Sequence, residues 1–132
     1  MAQLIRITPN KARAASILRM VESTLEMISM LDANRFPSHI VREYYEALRE
    51  LISIRLLLDG YIVKGEGAHK HMIHYLGEKN LLPLEDRKLI DELREIRNHI
   101  SYDGFFVEAA YLQRKRLPIL DVVTKLKKLI SV

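Results

Sequence analysis

Between Pro37 and Gly60, apolar residues return at every third or fourth position, so that Ile40, Tyr44, Ala47, Leu51, Ile54 and Leu58 form one continuous seam. That spacing follows the helical period of ~3.6 residues and approaches a heptad pattern. Pro37 stands where a helix tolerates the missing N–H, and Gly60 where a helix commonly closes. A helix of this length with one apolar side must be covered by other elements, and the rest of the chain supplies them.

Asn10 after Pro9 is placed to cap a first helix, along which Ile17, Val21, Leu25, Ile28 and Leu31 recur until Asp32-Ala-Asn breaks the pattern. After Gly65 and Gly67, a short helix is expected from Ala68 to Leu76, its apolar face Met72, Ile73 and Leu76, with Gly77 ending it. Leu82-Pro83 opens a fourth helix with a stripe of Leu89, Ile90, Leu93, Ile96 and Ile100, ending near Tyr102-Asp-Gly104. A fifth begins at about Glu108, kinked or interrupted at Pro118, with Leu120, Val123, Leu126 and Ile130 as its apolar edge. No segment has the two-residue alternation of a half-buried strand. The expectation is an all-α protein: an up-down bundle of four or five helices, folded as a single domain over residues 1–132.

A chain of 132 residues is long enough to bury a core without staples. It has no cysteine, which excludes disulfides, thiolate metal sites and a cysteine nucleophile. No stretch approaches the ~20 apolar residues that span a bilayer, and the start, Met-Ala-Gln-Leu-Ile-Arg, lacks a secretory pattern. A cytoplasmic protein with no membrane segment is expected. The net charge of +4 is a mild basic excess, concentrated late in Arg114-Lys-Arg116, Lys125, Lys127 and Lys128. It permits an anionic partner without demanding one.

The chemistry-bearing stretch is Arg94-Glu-Ile-Arg-Asn-His-Ile-Ser-Tyr-Asp-Gly104, at the end of the fourth helix. Guanidinium groups bind phosphate through a planar fork of donors, and a nearby histidine can move a proton. At about 100° per residue, Arg94 and His99 lie about 140° apart, as do Arg97 and Tyr102, so neither pair meets at one substrate atom unless the helix ends between them or a two-fold partner closes the gap. Arg97 flanks the apolar stripe while Arg94 and Asn98 point further outward. The plain structural alternative is that these arginines pair with Glu92, Glu95 or Asp103 and complement the negative end of the helix.

These residues, together with Tyr44-Tyr-Glu-Ala-Leu-Arg through Leu58-Asp-Gly-Tyr61, Ala68-His69 and Tyr75-Leu76, give the chain a resemblance over most of its length to the HEPN superfamily of small helical nucleotide-binding proteins. The resemblance implies an up-down bundle that often dimerises and brings two copies of an Arg…His signature into an interfacial cleft. It also implies binding of a nucleotide or RNA, and for many relatives metal-independent RNA cleavage as toxins or partnership with a small nucleotidyltransferase. The signature fits in two ways. With Arg97-Asn98 as the family's pair, Tyr102 stands at or beside the histidine position; with Arg94 as the arginine, His99 completes the motif. The first is favoured, because Asn98 follows Arg97 directly. On this reading Arg94, Arg97, Asn98, His99 and Tyr102 bind nucleotide or RNA. In the enzyme alternative His99, Arg97 and Arg94 are catalytic, and no cofactor is needed.

Other groups are read more plainly. His69, His71 and His74 lie close in sequence, but no Asp or Cys joins them, and no metal site is expected. His69 matches a position of structural use in the resembled family. Tyr44, Tyr45, Tyr61 and Tyr75 have the spacing of packing residues, and Arg114-Lys-Arg116 reads as a solvated face.

Overall fold

A computed structural model describes residues 2–130 of the chain, and its frame is five helices joined by short connections. Helix α1, Lys11–Met30, starts where Asn10 Oδ1 accepts the Arg13 backbone N–H at 3.0 Å, and it ends before the Asp32-Ala-Asn break. Helix α2, Pro37–Asp59, has proline in its first turn and closes on Gly60 in the left-handed region at φ 86°. Its seam is buried from Ile40 to Ile54 and partly buried at Leu58, and Val41, Tyr45, Leu48, Ile52, Leu56 and Leu57 on its other sides are buried too. Helix α2 is therefore the axis of the core, with α1, α3, α4 and α5 packed around it.

The expectation of no strand is corrected. Gln3–Arg6 (β1) pairs antiparallel with Tyr61–Lys64 (β2), in the register Gln3↔Lys64 and Arg6↔Tyr61. Each strand has four residues, too few for alternation to be legible, and the pairing joins segments far apart in the chain. The ribbon continues at Gly60, whose carbonyl accepts the Ile7 N–H at 2.8 Å. A Cβ at Gly60 would stand 3.0 Å from the Ile7 carbonyl oxygen, so glycine serves here both the turn and the close approach. The molecule is a helical bundle carrying a small sheet.

Helix α3 is Ala68–Glu78, and here Gly77 lies inside the helix instead of ending it. The Arg87 guanidinium fills the space where a side chain at 77 would begin, so the glycine makes room for a neighbour. The left-handed turn falls at Asn80, with φ 54°. Helix α4, Leu84–Asp103, follows Pro83, has Glu85 and Asp86 at its positive end, and stops at Gly104 with φ 67°. Helix α5, Ala109–Ile130, is continuous through Pro118, so of the expected kink or interruption the interruption is absent. Leu120, expected on its apolar edge, is exposed; Ile119, Val122, Val123, Leu126 and Ile130 are the buried positions.

Apolar residues from all five helices join one core. Two polar ties add to it: buried Ser38 Oγ accepts the N–H of Val107 in the α4–α5 connection at 2.7 Å, and Arg55 on α2 donates to the Leu129 carbonyl on α5 at 2.7 Å. None of the described helices is long and apolar enough to cross a membrane.

Candidate functional site

The last turns of α4 face the glycine loop and first turn of α3, and between them lies a cleft of about 330 Å3. Arg94, Arg97, Asn98 and Tyr102 line it from α4; Gly65, Gly67, Ala68, His69 and Lys70 line it from the other side. The helical wheel explains the first set. Taken in angular order, Arg97, Arg94, Asn98 and Tyr102 span about 140° of one side, and His99 falls about 60° beyond Tyr102.

Both arginines are oriented by acids. Arg97 Nε donates to Glu46 Oε1 at 3.1 Å and its Nη1 to Asn98 Oδ1 at 3.2 Å. Arg94 Nε donates to Asp91 Oδ1 at 2.9 Å, and its Nη2 stands 3.8 Å from Glu95. In each case the acid holds the inner nitrogen. Both Nη groups of Arg94 and Nη2 of Arg97 make no hydrogen bond within the described residues. Of the acids named beforehand as structural partners, only Glu95 approaches an arginine; the stronger holds come from Asp91 and, across the bundle, Glu46.

The opposite wall adds a second source of positive potential. Helix α3 has no side-chain cap at Gly67, and among the described residues the backbone amides of His69 and Lys70 have no acceptor. These are orphan donors at the positive end of a helix dipole, the arrangement that binds anions elsewhere. Gly65 and Gly67, with φ 101° and 79°, turn the chain so that this end opens into the cleft. Lys70, exposed at the rim, brings a further cation.

The histidine that joins the arginines is His69. Burial pushes its ring below the usual histidine range, Arg49, Arg97 and Arg94 push the same way, and Glu46 opposes them. The shift favours the uncharged ring, which has one nitrogen able to donate and one able to accept. Tyr45, behind it at 6.0 Å between ring centroids, is pushed up to about 12, first by burial and then by Glu46. His99 lies elsewhere: it lines a separate shallow depression with Glu95, Asn98, Tyr102 and Asp103, and its Nδ1 is 3.0 Å from Asp103. Asn98 and Tyr102 border both depressions.

Of the five sequence-identified residues, Arg94, Arg97, Asn98 and Tyr102 come together and His99 does not. His69 and Lys70 were missed, and the available signal was Gly65 and Gly67 directly ahead of a helix, a pattern that presents free amides. His71 and His74 pair with each other at 6.2 Å between ring centroids, away from His69. Among the described residues no group of His, Cys, Asp or Glu side chains is arranged to hold a metal ion. Arg114 and Lys115 rest near the Tyr111 ring, and Arg116 donates to the Tyr44 hydroxyl at 3.1 Å, so this run packs along α5 away from the cleft. Comparison with protein-family models, with curated proteins and with solved structures finds no match for the chain.

Proposed function

We propose that this chain is a HEPN-like nucleotide- or RNA-binding protein whose cleft between α3 and α4 holds a phosphate group. The observation that carries the reading is the convergence of Arg94, Arg97 and Lys70 with the uncapped start of α3 on one cleft. Forked guanidinium donors and orphan amides are complementary to a tetrahedral anion, and neither needs a metal. Tyr102, 77% exposed at the edge, offers a ring on which a base stacks. The shared cleft of Arg97, Asn98 and Tyr102 supports the alignment in which tyrosine stands at the family's histidine position.

The resemblance extends the proposal to a homodimer and to partnership with a small nucleotidyltransferase in a toxin–antitoxin pair. Exposed Phe105 and Phe106, just beyond Tyr102, support an association surface beside the cleft. The test is fluorescence anisotropy of the protein with single-stranded RNA over a salt series. Binding weakens steeply with salt, and Arg97→Ala lowers affinity by about tenfold and makes the salt slope shallower by about one. Salt-independent binding, or an unchanged slope in the variant, overturns the reading.

A second reading, metal-independent RNA cleavage, is favoured by one observation: His69, its ring pushed below the usual histidine range by burial, shares a cleft with two arginines. His69, in place of His99, would take the 2′-hydroxyl proton as that oxygen attacks the adjacent phosphorus, and Arg94 and Arg97 would stabilise the phosphorane charge. The P–O5′ bond would then break with the 5′-oxygen taking a proton from water, leaving a 2′,3′-cyclic phosphate and a 5′-hydroxyl. Cleavage of mixed RNA in chelator, abolished by His69→Ala and retained in His99→Ala, distinguishes this enzyme from the binding protein.

A further inference from the structure

Behind His69 lies a larger cleft, about 660 Å3, bounded by α1, α2, β2 and the start of α3. Its size is that of a small-molecule site. His69 and Ala68 line this cleft and the arginine cleft alike, so the two are neighbours across one ring. The floor is apolar, with Leu56, Leu57 and Met72 all buried. Such a floor accepts the flat face of an aromatic ligand.

The polar groups over that floor are specific in kind. Glu50 is half-buried on the wall, and among the described residues nothing donates a hydrogen bond to its carboxylate. Its nearest cation, Arg49 Nη2, stands 3.9 Å away and is spent on Glu46 at 2.9 Å. Burial pushes the Glu50 carboxyl up from the usual range, which is the mark of an acceptor short of partners. At the rim, Arg13 on α1 and Lys64 on β2 are exposed and have no acidic partner among the described residues.

We propose that this cleft is a guanine subsite, with the Glu50 carboxylate accepting the base's two adjacent Watson–Crick-edge donors and Arg13 and Lys64 facing its phosphate. The inference deepens the nucleotide-binding reading and rests on it. A carboxylate offers two acceptors side by side, and guanine alone among the common bases presents an N–H beside an NH2. Adenine and cytosine set an acceptor next to their amino group, and uracil sets one donor between two acceptors. Each of these places a lone pair against a desolvated carboxylate. A guanine nucleotide seated here has the arginine cleft next to it, across His69, for a following phosphate.

The experiment is calorimetric titration of the whole chain with GMP, AMP and IMP. GMP binds about tenfold tighter than AMP, and IMP, which lacks the second donor, falls between. Glu50→Gln removes the preference, and Glu50→Asp, which keeps the charge but retracts it, reduces it; circular dichroism confirms that each variant folds. Arg13→Ala and Lys64→Ala weaken GMP while leaving guanosine unchanged. Equal affinities for GMP and AMP, a preference that survives Glu50→Gln, or no GMP binding overturns the subsite. Failure here is separable from failure of the phosphate cleft. RNA binding that needs Arg97 but ignores guanine removes only the subsite, whereas a Glu50-dependent GMP preference with RNA binding indifferent to Arg97 removes only the cleft.

Discussion

On one side of the last turns of α4, the Arg94 and Arg97 side chains are only 17% and 24% exposed, each held at Nε by a carboxylate. On the other side, His99 and Asp103 form a pair that is 65% and 66% exposed. These residues are close in sequence and belong to one motif on paper. The helix divides them. An ion pair in water contributes little and leaves its side chains free to move, whereas a partly buried guanidinium fixed at one nitrogen presents its remaining donors in a set direction. Proximity in sequence thus identified the region, and the docking of α3 decided which side of it lines a cleft.

The buried side of the same helix sets the scale against which both outer sides are measured. Leu93 is fully enclosed, and Leu93→Ala is expected to lower unfolding free energy by about 3 kcal/mol through lost transfer energy and the cavity left behind. Urea denaturation measures it. A loss below about 1 kcal/mol would mean that α4 is not anchored as described, and the contrast between its two outer sides would lose its basis.

The cleft side is sharpened by the titration of His69. Because burial and the neighbouring arginines lower its pKa, the folded protein gives up this proton more readily than the unfolded chain. The sign follows from linkage: the stability associated with neutral His69 is complete above the unfolded value of about 6.5 and is lost as pH falls through the lower folded value. Proton-detected NMR of the His69 ring should give a midpoint below 6.5, and Arg97→Ala should move it upward by removing one of the charges that depress it. A midpoint indifferent to Arg97 would separate His69 from the arginine cleft.

What was legible beforehand follows the range of the interactions concerned. Asn10, Pro37, Gly60 and Gly104 act on their own neighbours, and the helix ends they announce are found where expected. The β1–β2 ribbon pairs strands that flank α1 and α2 in the chain, a long-range contact, although Tyr61-Ile-Val-Lys after a helix-ending glycine carries the β-forming residues. Gly77 has the appearance of a helix end because glycine often fills that role; its actual neighbour, Arg87, comes from the next helix. The site divides the same way. The α4 residues follow from the helical period, while the choice of His69 over His99 depends on how α3 packs against α4, which no local pattern encodes.

The smallest expected effect is the most discriminating. His99→Ala removes an exposed side chain whose contacts are Asp103 at 3.0 Å and the Phe105 ring at 6.0 Å between centroids. Stability should change by no more than about 0.5 kcal/mol, since exposed pairs of this kind contribute little. RNA affinity should stay within about twofold, because a residue outside the cleft adds at most one screened charge. If instead affinity falls as far as in Arg97→Ala, the two sides of α4 act on one ligand after all. Asn98 and Tyr102 border both depressions, so that result has two sources. For an RNA strand running over Tyr102 on one chain the loss persists on dilution to the monomer, whereas for His99 reaching the cleft of a second copy the loss disappears on dilution.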